Sequence, residues 1–258
     1  MAELFDKQAE IYLDARPTYP ADWYSKLASL TTRHALAWDV GTGNGQAAVG
    51  VAEHYDRVIA TDVSEAQLRC AMRHPKVTYR RVLQSIPDDD LVSLIGGEGS
   101  VDLITVAQAV HWFNLPRFYS VASRLLRKPG GVIALWCYND IEVTPEFDAM
   151  LKGFHDTTLP YWDPNVRHVF SGYKDLPFPF RSVGMGREGE PVPMDIPKVL
   201  SFEGLVGMLR SWSAVVTARD RGVDLLSEEV VKGLEEAWGG PDVVRPIIYK
   251  ALMLAGAP

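Results

Sequence analysis

The chain has little cysteine, no long apolar run and no cluster of basic residues, and each lack excludes something. Two cysteines, Cys70 and Cys137, in 258 residues are too few and too unpatterned for a disulfide framework or a zinc site, so a reducing, cytoplasmic setting is expected. No stretch approaches the ~20 apolar residues that cross a bilayer. The opening M-A-E-L-F-D-K-Q lacks the apolar centre of a secretory signal, and no membrane partner is expected. Lys and Arg number 26 against 33 Asp and Glu, a formal net charge of -7. Nucleic-acid phosphates demand a basic face, so no nucleic-acid partner is expected either. Internal repeats and low-complexity tracts are also missing. The expectation that remains is a single domain over residues 1–258 with one good core, a monomer or homodimer working on small molecules.

What is present is concentrated in residues 36–62, L-A-W-D-V-G-T-G-N-G-Q-A-A-V-G-V-A-E-H-Y-D-R-V-I-A-T-D. An apolar run over residues 36–40 meets Gly41, Gly43 and Gly45 and then a helix-period segment with Ala47, Ala48, Val51 and Ala52. That is strand, glycine turn, helix. A second apolar run ends in Asp62, completing a β-α-β unit with an acid at the tip of its second strand. Such a unit binds a nucleoside: the glycines bring the backbone close to a ligand, and the acid accepts from ribose hydroxyls. A dinucleotide fingerprint starting at Gly41 needs Gly or Ala where this chain has Gln46.

The stretch D-V-G-T-G-N-G resembles the first motif of class I S-adenosylmethionine-dependent methyltransferases. The resemblance implies S-adenosyl-L-methionine as cofactor, S-adenosyl-L-homocysteine as product, and no metal. It makes Asp62 the ribose acid and Asp39 the acid that opens the motif, and it puts Gly41, Thr42, Gly43 and Gly45 at the methionine end. The other acidic feature, Asp88, Asp89 and Asp90, fits a helix start better than a metal site, because consecutive acids diverge on most backbones.

Upstream, Phe5, Tyr12, Arg16 and Tyr19 interleave aromatic and cationic groups. They either pack the arm on the core or cover the cofactor. The leader A-x-x-Y-x-x-x-R-P-x-Y-P resembles that of small-molecule methyltransferases, which fold this arm over the cofactor, and makes Tyr12 and Tyr19 cofactor candidates. Ser64 and Gln67 form a capping box, and residues 77–82 read as a third strand. Where the family usually has an acid for the adenine amino group, this chain has Val82, Leu83 and Gln84; Gln84 is the substitute candidate, or else a backbone group reads the adenine.

Residues 101–106 are a fourth strand running into Q-A-V-H-W-F. Ligands of open parallel sheets bind beyond the carboxyl ends of strands, which puts Gln108, His111 and Trp112 beside the glycine turn. His111 is the catalytic candidate, as a base or only as lining. A helix over residues 116–126 and the run L-L-R-K-P-G-G-V-I-A, again like the family, lead into a fifth strand.

Beyond residue 140, Thr144 and Pro145 start a helix with Phe147, Met150, Leu151 and Phe154 as its apolar stripe. An irregular Pro- and aromatic-rich loop follows, either packing as a lid or lining an acceptor pocket. Ser201 opens a helix with Leu205, Met208, Leu209 and Trp212 on one face. Its L-R-S-W-S resembles the substrate-side helix of trans-aconitate and farnesoic-acid methyltransferases. Ser227 caps a further helix, and residues 243–254 make the last strand.

The expected fold is α/β, a Rossmann-like doubly wound sheet of seven strands, mostly parallel with the last antiparallel, helices on both faces and a helical and loop lid. The arm is residues 1–30 and the cofactor core 31–139. The lid and acceptor region is 140–230 with one sheet strand, its lid proper 140–181 plus the helix after Ser201; residues 231–258 close the domain. The expected acceptor is a small organic carboxylate giving a methyl ester. Arg210 would pair with it, with Arg167 and His168 behind, in a dry pocket of Trp112, Trp136, Tyr161, Trp162 and Trp212. The alternative acceptor is a phenol or amine with His111 as base. Alternatives of another class are an NAD(P)-dependent oxidoreductase and a non-catalytic nucleoside-binding module.

Overall fold

The computed structural model describes residues 17–258; Tyr12, Phe5 and Arg16 lie outside the described residues. Helix α1 (Ala21–Ser29) leads to β1 (Leu36–Val40), α2 (Gln46–Ala52) and β2 (Arg57–Asp62). The alternation continues through α3 (Glu65–Arg69), β3 (Val77–Arg81), α4 (Asp88–Ile95), β4 (Leu103–Ala107), α5 (Leu115–Leu125) and β5 (Val132–Glu142). The caps expected from sequence hold these helices. Ser64 accepts from the Gln67 backbone N–H. Asp88 and Asp89 at the start of α4 pair with Arg117 at 2.7 Å and Arg124 at 2.8 Å.

After β5 come α6 (Pro145–Thr158), capped by Thr144 with Pro145 in its first turn, and two 3-10 turns with the short α7 (Arg167–Phe170). Then follow β6 (Arg181–Met185), β7 (Val192–Pro193), β8 (Ile196–Ser201), α8 (Phe202–Arg210), α9 (Ser213–Asp220), α10 (Glu228–Trp238) and the long β9 (Val244–Ala257).

The sheet runs β3-β2-β1-β4-β5-β9-β6. Its first five strands are parallel, and β9 lies antiparallel to β5. This is the mostly parallel, helix-covered sheet expected, with a correction at its edge. The seventh place is shared by β6, β7 and β8, which pair in turn along the same side of β9. Gly184, at the register shift within β6, and Gly186, just after it, both have positive φ and interrupt that edge. A second correction concerns β5, which continues past Tyr138 through an irregularity to Glu142, so residues 140–142 belong to the sheet.

Period-two alternation sorts the strand side chains onto two faces. Ala134 and Trp136 face one core with Trp23, Phe147, Leu205 and Trp238. Ile133, Leu135 and Cys137 face the other with Trp38, Phe118, Leu125 and Tyr173. Trp136 is wholly buried against Tyr19 and Trp23, so it is a core residue and not part of an acceptor pocket. Met150 is exposed, off the buried stripe of α6. Among the described residues, no helix is long and apolar enough to cross a membrane.

Candidate functional site

Two cavities open beyond the carboxyl ends of the parallel strands and share a wall. The first, about 490 Å³, lies over the glycine turn; the second, about 520 Å³, lies between β5, α6 and the α8–α9 junction. Both are in the size range of small-ligand sites. Gln108, Trp112 and Tyr138 line both.

The turn at the first cavity requires glycine. Gly41, Gly43 and Gly45 have φ of 65°, 56° and 85°, a region that penalises a Cβ. A Cβ on Gly41 would also stand 2.6 Å from that of Ala109, and one on Gly45 2.1 Å from the Tyr79 hydroxyl. Beneath the turn, Asp39 accepts from Thr42 Oγ1 at 2.5 Å and from Thr105 Oγ1 at 2.6 Å. Burial lifts its carboxyl to about pH 6, against the pull of those two hydroxyls. Asp39, expected as a cofactor-binding acid, is not in the cavity lining; it fixes the turn from below. Gly45 likewise caps α2 behind the lining.

Asp62, at the end of β2, accepts from the N–H of Gly43 and of Ser64, each at 2.8 Å. Its carboxylate is thereby held at the cavity edge. Tyr19, Gly41, Thr42, Gly43, Asp62, Gln84 and Gln108 all line this cavity. Sequence reading missed others. Asn44 lines the cavity too and is 2 % exposed, and its Nδ2 has no partner among the described residues. Leu83, 52 % exposed, lines the same cavity. Arg117 donates to the carbonyls of Gln84 and Ile86 and ties that loop to α5. No periodicity marks Arg117, whereas Asn44 sat in the quoted glycine motif.

At the shared wall, Gln108 has φ of 56°, unusual for a residue with a side chain. Its Nε2 donates to Tyr138 O at 2.8 Å and its Oε1 accepts from Tyr138 N at 3.1 Å. The amide is thus committed to joining the end of β4 to β5 at Tyr138. Tyr138, in β5 just before its irregularity and level with the end of β4, is a wall residue that the sequence reading does not single out.

His111 lines the second cavity and is 6 % exposed. Its Nδ1 faces Tyr173 Oη at 3.4 Å. Burial, and behind it the charge of His168, lowers its pKa to about 3, so the ring is neutral at pH 7 and weakly basic. Trp112, Trp162 and Trp212 line the same cavity with His155 and Phe170. Trp162 stands 5.8 Å from Trp212 and 5.5 Å from Phe170, centroid to centroid.

The cationic side chains expected here are elsewhere. Arg210 is exposed at the end of α8 and Arg167 at the start of α7; His168 turns Nδ1 to Asp175 at 3.1 Å. None of the three lines the cavity, and nor does Tyr161. Arg210 follows the buried Leu209 by one residue, about 100° around the helix, which turns it off the buried face. The three side chains expected to pair with a carboxylate acceptor are thus not in the lining, whose cations are Lys152 and Lys250.

The methyltransferase domain family matches residues 38–135. A candidate methyltransferase of Dictyostelium discoideum is 33% identical over 243 residues, covering 92% of this chain and 87% of that protein. A candidate type II methyltransferase of known structure from Anaeromyxobacter dehalogenans is 37% identical with a TM-score of 0.78, covering 94% and 97% of the two chains. A methyltransferase of Aspergillus candidus, cfoB, is 32% identical over 189 residues, 65% of this chain and 59% of that one. The chain belongs to the class I S-adenosylmethionine-dependent methyltransferases. The oxidoreductase and non-catalytic alternatives are set aside with that assignment.

The residues present fit the cofactor the family implies. The positive-φ glycines keep the turn free of side chains, Asn44 offers a buried donor with no partner among the described residues, and a braced carboxylate stands at the end of β2.

Proposed function

We propose that the protein transfers a methyl group from S-adenosylmethionine to a small molecule held in the aromatic cavity. The observation that carries this is the shared wall. Two cavities of small-molecule size meet at Gln108, Trp112 and Tyr138, and one of them lies over the family's nucleoside-binding turn.

The residues divide the work by position. Gly41, Thr42, Gly43 and Asn44 hold the methionine end, Asp62 the ribose, and the loop carrying Leu83 and Gln84 the adenine, with Arg117 keeping that loop in place. When bound, S-adenosylmethionine supplies a methyl group already activated by its positive sulfonium. The protein's task is then alignment and exclusion of water. Gln108 and Tyr138 set the passage between the cavities, and the rings of Trp112, Trp162, Trp212 and Phe170 keep water from the acceptor. His111, neutral and only weakly basic, orients an acceptor by hydrogen bonding better than it removes a proton.

Thermal shift and calorimetry with S-adenosylhomocysteine against NADH test the reading. The first is expected to bind and raise the melting temperature, and the second to do neither. A chain that ignores S-adenosylhomocysteine would overturn it.

A further inference from the structure

We infer that the acceptor is a small amine, drawn in as its ammonium form and methylated on nitrogen; the inference rests on the methyl-transfer reading above. The charged groups around the second cavity decide it. Strand β5 contributes Asp140 and Glu142, α6 contributes Asp148 and Lys152, and β9 contributes Lys250, with His111 and His155 alongside. Both lysines are already matched. Lys250 is 2.8 Å from Asp195 and 3.5 Å from Glu142, and Lys152 is 3.5 Å from Asp156.

Asp140 is exposed and matched by neither lysine, and among the described residues Asp148 accepts the Val143 backbone N–H, at 2.9 Å, and no cation. Among the described residues no arginine lines the cavity. The mouth therefore carries surplus negative charge, and low-dielectric walls focus such a field. An anionic acceptor enters against it and a cationic one along it.

The interior agrees. Ring faces attract an ammonium group, more so away from water, and Trp112, Trp162, Trp212 and Phe170 line the space behind the mouth. His111 adds an independent sign that a polar ligand belongs there. It is nine-tenths buried and lines the cavity, and Nδ1 is its one ring nitrogen with a partner among the described residues. Being neutral, it does not repel a cation.

The step balances without a further reactant. At the open mouth the ammonium releases its proton to water. The freed lone pair bonds to the methyl carbon of the sulfonium, and the carbon–sulfur pair stays on sulfur as the thioether of S-adenosylhomocysteine. The positive charge passes to the methylated nitrogen, among the ring faces.

The test uses three acceptors of similar size: 2-phenylethylamine, 3-phenylpropionate and 4-ethylphenol. Each is titrated calorimetrically into the full chain with S-adenosylhomocysteine present, and each is incubated with methyl-labelled S-adenosylmethionine. The amine is expected to bind about tenfold or more tighter than the carboxylate and to carry alkali-stable label. Asp140→Lys is expected to close most of that gap while S-adenosylhomocysteine affinity stays within twofold. If the amine binds no better than the other two, or the label leaves as methanol under mild alkali, the inference falls and methyl transfer stands. If S-adenosylhomocysteine itself does not bind, the methyl-transfer reading falls and takes the inference with it.

Discussion

The two cavities are nearly equal in size and are built in opposite ways. The first is made of strand ends and tight turns inside the β-α repeat. Its shape is fixed by short bonds between carboxylates and the backbone or hydroxyls next to them, Asp62 to Gly43 and Asp39 to Thr42. The second is gathered from a strand extension, a helix, 3-10 turns and the junction of two helices, and it is held largely by ring contacts. Directed bonds suit a ligand that never changes. Ring contacts define a shape that a few substitutions can alter without disturbing the frame, as loops on a rigid scaffold do.

If that division holds, the largest effect comes from the first cavity. Asp62→Ala removes an acceptor for two hydroxyl groups at roughly 1.5 to 3 kcal/mol each, so S-adenosylhomocysteine is expected to bind at least about a hundredfold more weakly. Acceptor binding should hardly change. Calorimetry on both ligands checks it, and unchanged affinity would place the ribose elsewhere.

The mirror experiment is Trp162→Ala, in a residue that lines the second cavity alone. Loss of one ring face and its burial is worth about 1.5 to 3 kcal/mol. The acceptor KM should rise tenfold or more, with S-adenosylhomocysteine affinity within twofold. Trp112→Ala, at the shared wall, is expected to move both constants. Should Trp162→Ala move cofactor binding equally, the cavities are not separable as described.

A smaller effect is expected at the wall itself. Gln108→Ala cuts both bonds to Tyr138, and kcat is expected to fall roughly three- to tenfold through misalignment. Gln108→Asn separates the causes, because Asn tolerates the left-handed backbone but is one carbon too short for both bonds. Equal losses in the two variants would assign the effect to the bonded ring, and a loss in Ala alone to backbone strain.

The same contrast governs how much was legible in the sequence. The β-α-β unit, the glycine turn, Asp62 and the capped helices could be read because each depends on local spacing. The motif makes Asp39 part of the site, yet its side chain turns inward to Thr105, a partner 66 positions away. Arg210 and Trp212 are two residues apart in L-R-S-W-S, but α8 ends between them, so one faces solvent and the other the cavity. The shared seventh strand place of β6, β7 and β8 depends on their pairing with the distant β9, which no local pattern announces. Lys250, Asp140 and His155 meet for the same reason, through sheet register and helix packing.

The smallest predicted effect tests whether His111 is a neutral fixture or a base. Its pKa falls from 6.5 to about 3, chiefly through burial, so between those values the unfolded chain holds a proton that the folded chain refuses. Stability from this group is therefore fully present above about pH 6.5 and is lost as pH falls toward about 3. Asp39 runs the other way: burial raises it from 3.8 to about 6, and its contribution is lost as pH rises through that range. Differences between variants separate the two. From pH 7 to pH 4.5 the melting temperature of the wild type should drop more than that of His111→Gln, while Asp39→Asn should steepen the drop. Activity gives the complementary reading. A group that titrates near pH 3 adds no inflection to kcat/KM between pH 6 and 9, so the rise there should follow the acceptor's own ionisation and persist in His111→Gln. An inflection near pH 6.5 that His111→Gln abolishes would make His111 the base after all, and the phenolic acceptor the better reading.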